Sequence, residues 1–268
     1  MGLEIVRVES ARAAATLLAS DSRARFIGGG TLAVRDVNYG DGSITRLLLP
    51  EGLKLDGIAI DAGKATIGAA VTMAKILAYP GLGFLNPVAG SIGGPAVRAM
   101  ATVGGNLFAP YPFGDFAVAL LALGAAVTVE GAQGSNTVDL ENFLADTKRP
   151  PGVVVSITFA VPAAGSFRFA KVIRRKPHGA SVLSIAAVLP LAGGKLAGAR
   201  VAYGAMAPHP LRARAVEKSL EGKPLDAATI AAAVKVANDG CAPLTDPQAS
   251  AWYRTAVLPV HLQRLLGA

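Results

Sequence analysis

Apolar residues fall in short runs along this chain, and glycine or proline cuts the runs at close intervals. Ile5-Val6-Arg7-Val8 has the composition of a short strand. Ser10 stands where an N-cap belongs, ahead of an alanine-rich helical stretch over residues 11–19 whose Leu17 and Leu18 would face a core. Arg25-Phe26-Ile27 reads as a strand running into Gly28-Gly29-Gly30-Thr31. Residues 31–37 alternate only loosely, and residues 45–49 form another apolar strand ended by Pro50. Strand, helix, strand, glycine-rich loop and strand make a small α/β unit over roughly the first fifty residues.

A second unit begins near Leu53. Ile58-Ala59-Ile60 and residues 66–69 flank Asp61-Ala62-Gly63-Lys64, which has hairpin turn chemistry. Residues 72–78 read as a short helix stopped by Pro80-Gly81, and residues 85–92 as another. A Gly104-Gly105 loop follows, then a helix over 115–123 ended at Gly124. Residues 125–129 form a strand, and a longer β-branched strand over 153–161 closes the unit. The last hundred residues or so change character. Strands at 167–173, 182–189 and 199–203 are joined by turns at Pro177-His178-Gly179 and Gly193-Gly194. Helices follow at 211–220, at 226–237 with Asp226 as N-cap, and at 248–266. The fold class is therefore α+β: a small α/β N-terminal unit and a mixed-sheet unit, then a C-terminal three-stranded antiparallel sheet with a helical cluster. The expected boundaries are 1–54, 55–165 and 166–268.

Composition narrows the chemistry. With 52% hydrophobic and 16% charged residues in 268, the chain folds around a sizeable core. The formal net charge is +8, with one tight basic cluster at Lys171 and Arg174-Arg175-Lys176. No aromatic residues interleave with that cluster, which argues against nucleic acid. The single cysteine, Cys241, cannot form an internal disulfide or supply the thiolates of a zinc or iron–sulfur site. His178, His209 and His261 are far apart, so no metal site is expected. The neutral run over 76–97 is long enough to span a bilayer, but Pro80, Pro87, Pro95 and five glycines make it a poor membrane helix. Met1-Gly2-Leu3-Glu4 shows no signal-peptide pattern. A cytoplasmic location is expected, or a periplasmic one by co-export with a partner.

The stretch Ala101-Thr102-Val103-Gly104-Gly105-Asn106 carries the candidate chemistry. Arg98 aside, no side chain from Ile76 to Gly114 is charged. A glycine pair lets backbone N–H groups approach a ligand, and successive N–H groups form a concave anion site. Gly28-Gly29-Gly30-Thr31 lacks the Lys-Ser or Lys-Thr of a triphosphate-binding loop and the G-x-G-x-x-G of a dinucleotide fingerprint. Alone it reads equally as a tight turn. Two such loops, each after a strand-like run, can hold two phosphates from both sides. Asp115 reads either as a helix N-cap or as a carboxylate at the far end of the cradle.

These loops resemble the FAD-binding subunit, or domain, of the molybdenum hydroxylases, which include xanthine dehydrogenase, aldehyde oxidoreductase and carbon monoxide dehydrogenase. The family's Ala-Gly-Gly-Thr-Asp stands here as Gly28-Gly29-Gly30-Thr31-Leu32. Its Arg-Asn-x-Ala-Thr-Ile-Gly-Gly-Asn stands as Arg98-Ala99-Met100-Ala101-Thr102-Val103-Gly104-Gly105-Asn106, followed by Tyr111-Pro112-Phe113-Gly114-Asp115. Lys171-Val172-Ile173-Arg174-Arg175 resembles the Lys-x-x-Arg-Arg strand, and residues 203–213 resemble the Gly-x-x-Ala-x-x-Pro-x-Arg-Ala segment.

The resemblance implies that the first two units form a two-part FAD-binding domain. Gly28, Gly29, Gly30 and Thr31, beside Leu32, would bind the FAD diphosphate through N–H groups and the threonine hydroxyl. Thr102, Gly104 and Gly105, with the Asn106 amide, would hold it from the other side. Asp115 would accept from ribityl or ribose hydroxyls, Val154 would touch the cofactor, and Lys171 would be a point charge near the flavin. Leu32 replaces a polar residue, so one cofactor bond would be missing or made by the backbone instead; residues 109–113 are bulkier than the family's run. No side chain here is expected to act as general acid or base. Molybdenum–pterin and [2Fe–2S] clusters are expected only in a large and a small partner subunit, in a heterotrimer or a dimer of heterotrimers. FAD would pass their electrons to NAD⁺, dioxygen or another acceptor. The competing readings are a non-catalytic module bridging subunits with a decayed flavin site, and a stand-alone flavin oxidoreductase.

Overall fold

A computed structural model describes residues 2–50 and 52–268 and divides the chain into two compact units. The first comprises Met1–Gly83, Gly93–Ala109 and Ala126–Phe159. In its three-stranded sheet, strand Arg46–Leu49 lies between Glu4–Arg7 and Ala24–Phe26 and runs parallel to both. Parallel neighbours need a crossover, and helix Ala11–Ser20 follows the first strand as one. Ser10 caps it, accepting from the N–H of Ala13. Ala14 and Ala15 pack with Val8, Ala24, Leu48 and Val153, small side chains that let helix and sheet lie close.

The unit's second sheet has five strands in the order Ile58–Asp61, Lys64–Gly68, Val153–Ala160, Ala126–Gly131 and Gly134–Asp139. The expected hairpin turns at Ala62 and Gly63, with φ 46° and 76°. Two left-handed positions are what a tight two-residue hairpin requires, and asparagine suits the first better than alanine does. Ala62→Asn should therefore raise stability by about 0.5 kcal/mol or more. A lowered midpoint in chemical denaturation would contradict this.

The second unit comprises Phe84–Ile92, Pro110–Ala125 and Ala160–Ala268. Its sheet is antiparallel, in the order Leu211–Arg212, Arg200–Gly204, Ser181–Val188 and Phe167–Ile173. Four strands replace the three expected, because a two-residue strand leaves no alternation to read. The helix expected from residue 211 starts accordingly at Arg214. Helix Asp115–Ala122, buried at every residue, packs against Ser181–Val188 and Arg200–Gly204. Gly204 permits this approach: a Cβ there would lie 2.7 Å from Val118 Cγ2 and closer still to Ser184 Oγ.

Helices Arg214–Leu220, Ala227–Lys235 and Ala251–Leu266 share a core with Leu183, Ile185, Val201 and Tyr203 of the sheet. Asp226 and Ser250 cap the second and third of them. Pro259 inside the last helix has no N–H to give to the carbonyl of Thr255; the Asn238 amide donates to that oxygen instead, at 3.2 Å. In the segment 203–213, Arg212 Nε lies 2.5 Å from Glu217 Oε1, which also accepts from the N–H of Val201. The arginine there ties a short edge strand to the helix that follows it.

Candidate cofactor site

Strand Ala24–Phe26 delivers the first glycine turn. The N–H of Ile27 still bonds the carbonyl of Leu48, and the chain then leaves the sheet. Gly30 has φ 70°, in the left-handed region that glycine enters without a Cβ penalty. The N–H groups of Gly28, Gly29, Gly30 and Thr31 donate to no acceptor among the described residues. A short helix, Ala33–Asn38, follows in place of the loosely alternating stretch. Leu32 occupies its N-cap position and offers no side-chain bond. The Gly30 and Leu32 carbonyls accept from Val34 and Asp36.

The second turn is pinned from behind. Met73 N–H bonds Ala101 O, Val103 N–H bonds Val71 O, and Gly104 N–H bonds Ala69 O at 2.8–2.9 Å. Ala69 in turn donates to Val155 of strand Val153–Ala160. Thr102 caps the short helix Val103–Asn106, its Oγ1 accepting from Gly105 N–H at 3.1 Å. Gly104 and Gly105 thus have their N–H groups engaged inside the protein, contrary to the expectation that they face the phosphates. A four-residue helix needs its cap and its anchor, and these take the donors. Glycine at 104 serves close packing: a Cβ would sit 2.7 Å from that of Ala69.

The two turns, far apart in sequence, abut. A Cβ on Gly28 would lie 2.6 Å from Thr102 Oγ1, and one on Gly29 would lie 2.5 Å from the carbonyl carbon of Met100 and nearer still to its oxygen. Only glycine allows the backbones this close. Thr102 is buried, and while its oxygen accepts from Gly105 its own O–H can still donate.

The second unit holds the other expected pair. Gly114, at φ 101°, is the N-cap of helix Asp115–Ala122, so Asp115 is not the cap but the first helical residue. Its carboxylate lies 2.8 Å from Lys171 Nζ and accepts from Ser181 Oγ at 2.6 Å. Lys171 also donates to the carbonyl of Ser91 at 3.0 Å. Both side chains are about nine-tenths buried, 6% and 10% exposed for Asp115 and Lys171. Lys171 is thus a neutralised partner rather than a lone charge.

Residues 1–163 match the family described as "FAD binding domain in molybdopterin dehydrogenase". The chain belongs to this family of flavoprotein subunits. Residues 168–268 match "CO dehydrogenase flavoprotein C-terminal domain". The carbon monoxide dehydrogenase medium chain of Afipia carboxidovorans is 30% identical over 235 residues, covering 82% of each chain. The putative xanthine dehydrogenase FAD-binding subunit of Escherichia coli (strain K12) is 26% identical over 271 residues, covering 95% of this chain and 91% of that one. In three dimensions, a carbon monoxide dehydrogenase structure from Hydrogenophaga pseudoflava superposes with a TM-score of 0.91 at 26% identity. It covers 100% of this chain and 97% of its own.

The flavoprotein subunit is an oxidoreductase component with FAD as its cofactor, and its first turn fits that group. Four open N–H groups, three of them on a Cβ-free strip and the fourth on a residue with a hydroxyl, suit a diphosphate. Asn106 closes the short helix of the second turn. Val154 is buried opposite Val129 in the five-stranded sheet, one residue from the carbonyl that anchors Ala69. Sequence reasoning missed Met100, whose backbone meets Gly29, and Ser181, which completes the Asp115 site; no local pattern marks either. Cys241 takes no part: burial, then the Asp239 carboxylate, pushes its thiol up to about 11. Among the described residues no helix is long and apolar enough to cross a membrane.

Proposed function

We propose that this subunit carries FAD as the electron outlet of a three-subunit molybdenum hydroxylase. The observation that supports it most is the meeting of two glycine turns with four open N–H groups on one of them. Gly28 to Thr31 bind the diphosphate, with Leu32 leaving that end to backbone donors. Thr102 adds its hydroxyl, and Gly104, Gly105 and Asn106 give the second turn its close-packed shape. Asp115 and Lys171 contact FAD as well, and Val154 forms part of its apolar support. When bound, FAD supplies two-electron storage with one-electron exchange, so the protein's task is position and electrostatics.

Relatives named medium chains support a large molybdenum–pterin partner, as does a solved carbon monoxide dehydrogenase described as lacking the pyranopterin moiety of its molybdenum cofactor. On the same reading a small [2Fe–2S] partner supplies the electrons, and NAD⁺ or dioxygen receives them. The assembly is a cytoplasmic heterotrimer or a dimer of heterotrimers. Residues 1–54 and 55–165 are the two parts of the FAD-binding domain, and 166–268 the C-terminal domain. The full chain incubated with FAD and desalted should show flavin absorption at about one FAD per chain. Protein that stays colourless after this treatment would refute the reading and favour the subunit-bridging module.

A further inference from the structure

Residues 109–113 include Tyr111 and Phe113, and the structure gives Tyr111 a partner. Arg254, on helix Ala251–Leu266, is fully buried. A guanidinium has five N–H donors, and all five are used here. Nε donates to Val182 O at 2.6 Å, and Nη1 to Leu244 O at 2.5 Å and Ala249 O at 2.8 Å. Nη2 makes two bonds to the Asp246 carboxylate, at 2.9 and 3.0 Å. Burial works to raise Asp246, but the N–H groups of Ala249 and Gln248 and the guanidinium outweigh it and hold the carboxyl below its usual range. The charge is therefore fully compensated and rigid.

The guanidinium carbon lies 5.1 Å from the centroid of the Tyr111 ring. The Tyr111 hydroxyl lies 2.9 Å from Leu244 O and 3.0 Å from Ala205 O, and accepts from Leu244 N–H at 3.2 Å. Two routes run from this fork to Asp115. One follows the chain from Tyr111 through Pro112, Phe113 and the left-handed Gly114. The other runs through Val182 to its neighbour Ser181, whose hydroxyl holds the Asp115 carboxylate.

We propose that Arg254 and Tyr111 form a brace that positions the Asp115–Lys171 pair for the cofactor. The two are positioning residues: they act through Asp115. This rests on the reading that the pair touches FAD, and the test separates the two claims. Tyr111→Leu, Lys171→Met and the double variant are compared with the unaltered full chain, all reconstituted with FAD. FAD affinity, flavin absorption and melting temperature are read for each.

Tyr111→Leu should weaken FAD binding about tenfold and shift the flavin band in the same sense as Lys171→Met. It should add little in the Lys171→Met background, because both act through one pair. If Lys171→Met alters FAD binding while Tyr111→Leu only lowers the melting temperature, the brace is overturned and the pair's cofactor role stands. Equal, additive effects in both backgrounds overturn the brace as well. If Lys171→Met changes neither affinity nor absorption, the pair's role fails and the brace with it. Should Tyr111→Leu not fold, Tyr111→Phe keeps the ring and removes only the hydroxyl's bonds. It should weaken FAD binding by about threefold, and an unchanged affinity and flavin band would overturn the proposal.

Discussion

Gly29→Ala should leave the purified chain without FAD and strongly destabilised. The added Cβ would meet the carbonyl of Met100, which is backbone, with the Ala101 nitrogen at 3.2 Å beyond it. A flexible side chain could swing aside; a carbonyl at the end of helix Pro95–Met100 can move only if the second turn moves with it. That turn is held by three backbone bonds to residues 69–73. Overpacking of this kind costs about 1–3 kcal/mol where neighbours can yield, and here they yield little. Separation of the turns also opens the strip of N–H groups. The control is Gly42→Ala, where a Cβ meets nothing within 4 Å and φ is not left-handed. Flavin absorbance per chain and denaturation midpoints decide the matter: normal FAD content in Gly29→Ala would remove the meeting of the turns from any account of binding.

Lys171→Met should cost about 3–5 kcal/mol, because it leaves the Asp115 carboxylate buried with Ser181 as its remaining side-chain donor. Replacing both partners with apolar residues of similar size, Lys171→Met with Asp115→Leu, should recover much of that stability. It should not recover FAD affinity. The comparison separates a merely structural ion pair from one the cofactor uses. If the double variant binds FAD as tightly as the unaltered chain, the pair holds the fold alone.

Much of this is legible in the residues themselves. The glycine turns declare themselves because only glycine permits close backbone approach, and Ser10 and Asp226 announce helix starts by cap chemistry. What stays hidden is whatever depends on tertiary partners. Whether the N–H of Gly104 is open or engaged depends on where the Ala69 carbonyl falls. Asp115 reads equally as a cap or as a cradle carboxylate because aspartate before an apolar run is often a cap; Gly114 takes the cap position, with a left-handed backbone. Lys171 reads as a free charge because nothing nearby in the chain is acidic. The edge strand Leu211–Arg212 is shorter than any period can reveal.

Arg254 lies in helix Ala251–Leu266, and it fastens a loop translated long before it. During synthesis the two glycine turns can meet before that helix exists, since their anchors, Val155 included, all precede it. The clasp around Tyr111 must wait until that helix has been made. A product terminated before that helix would carry both glycine turns but lack the buried guanidinium that stacks on Tyr111.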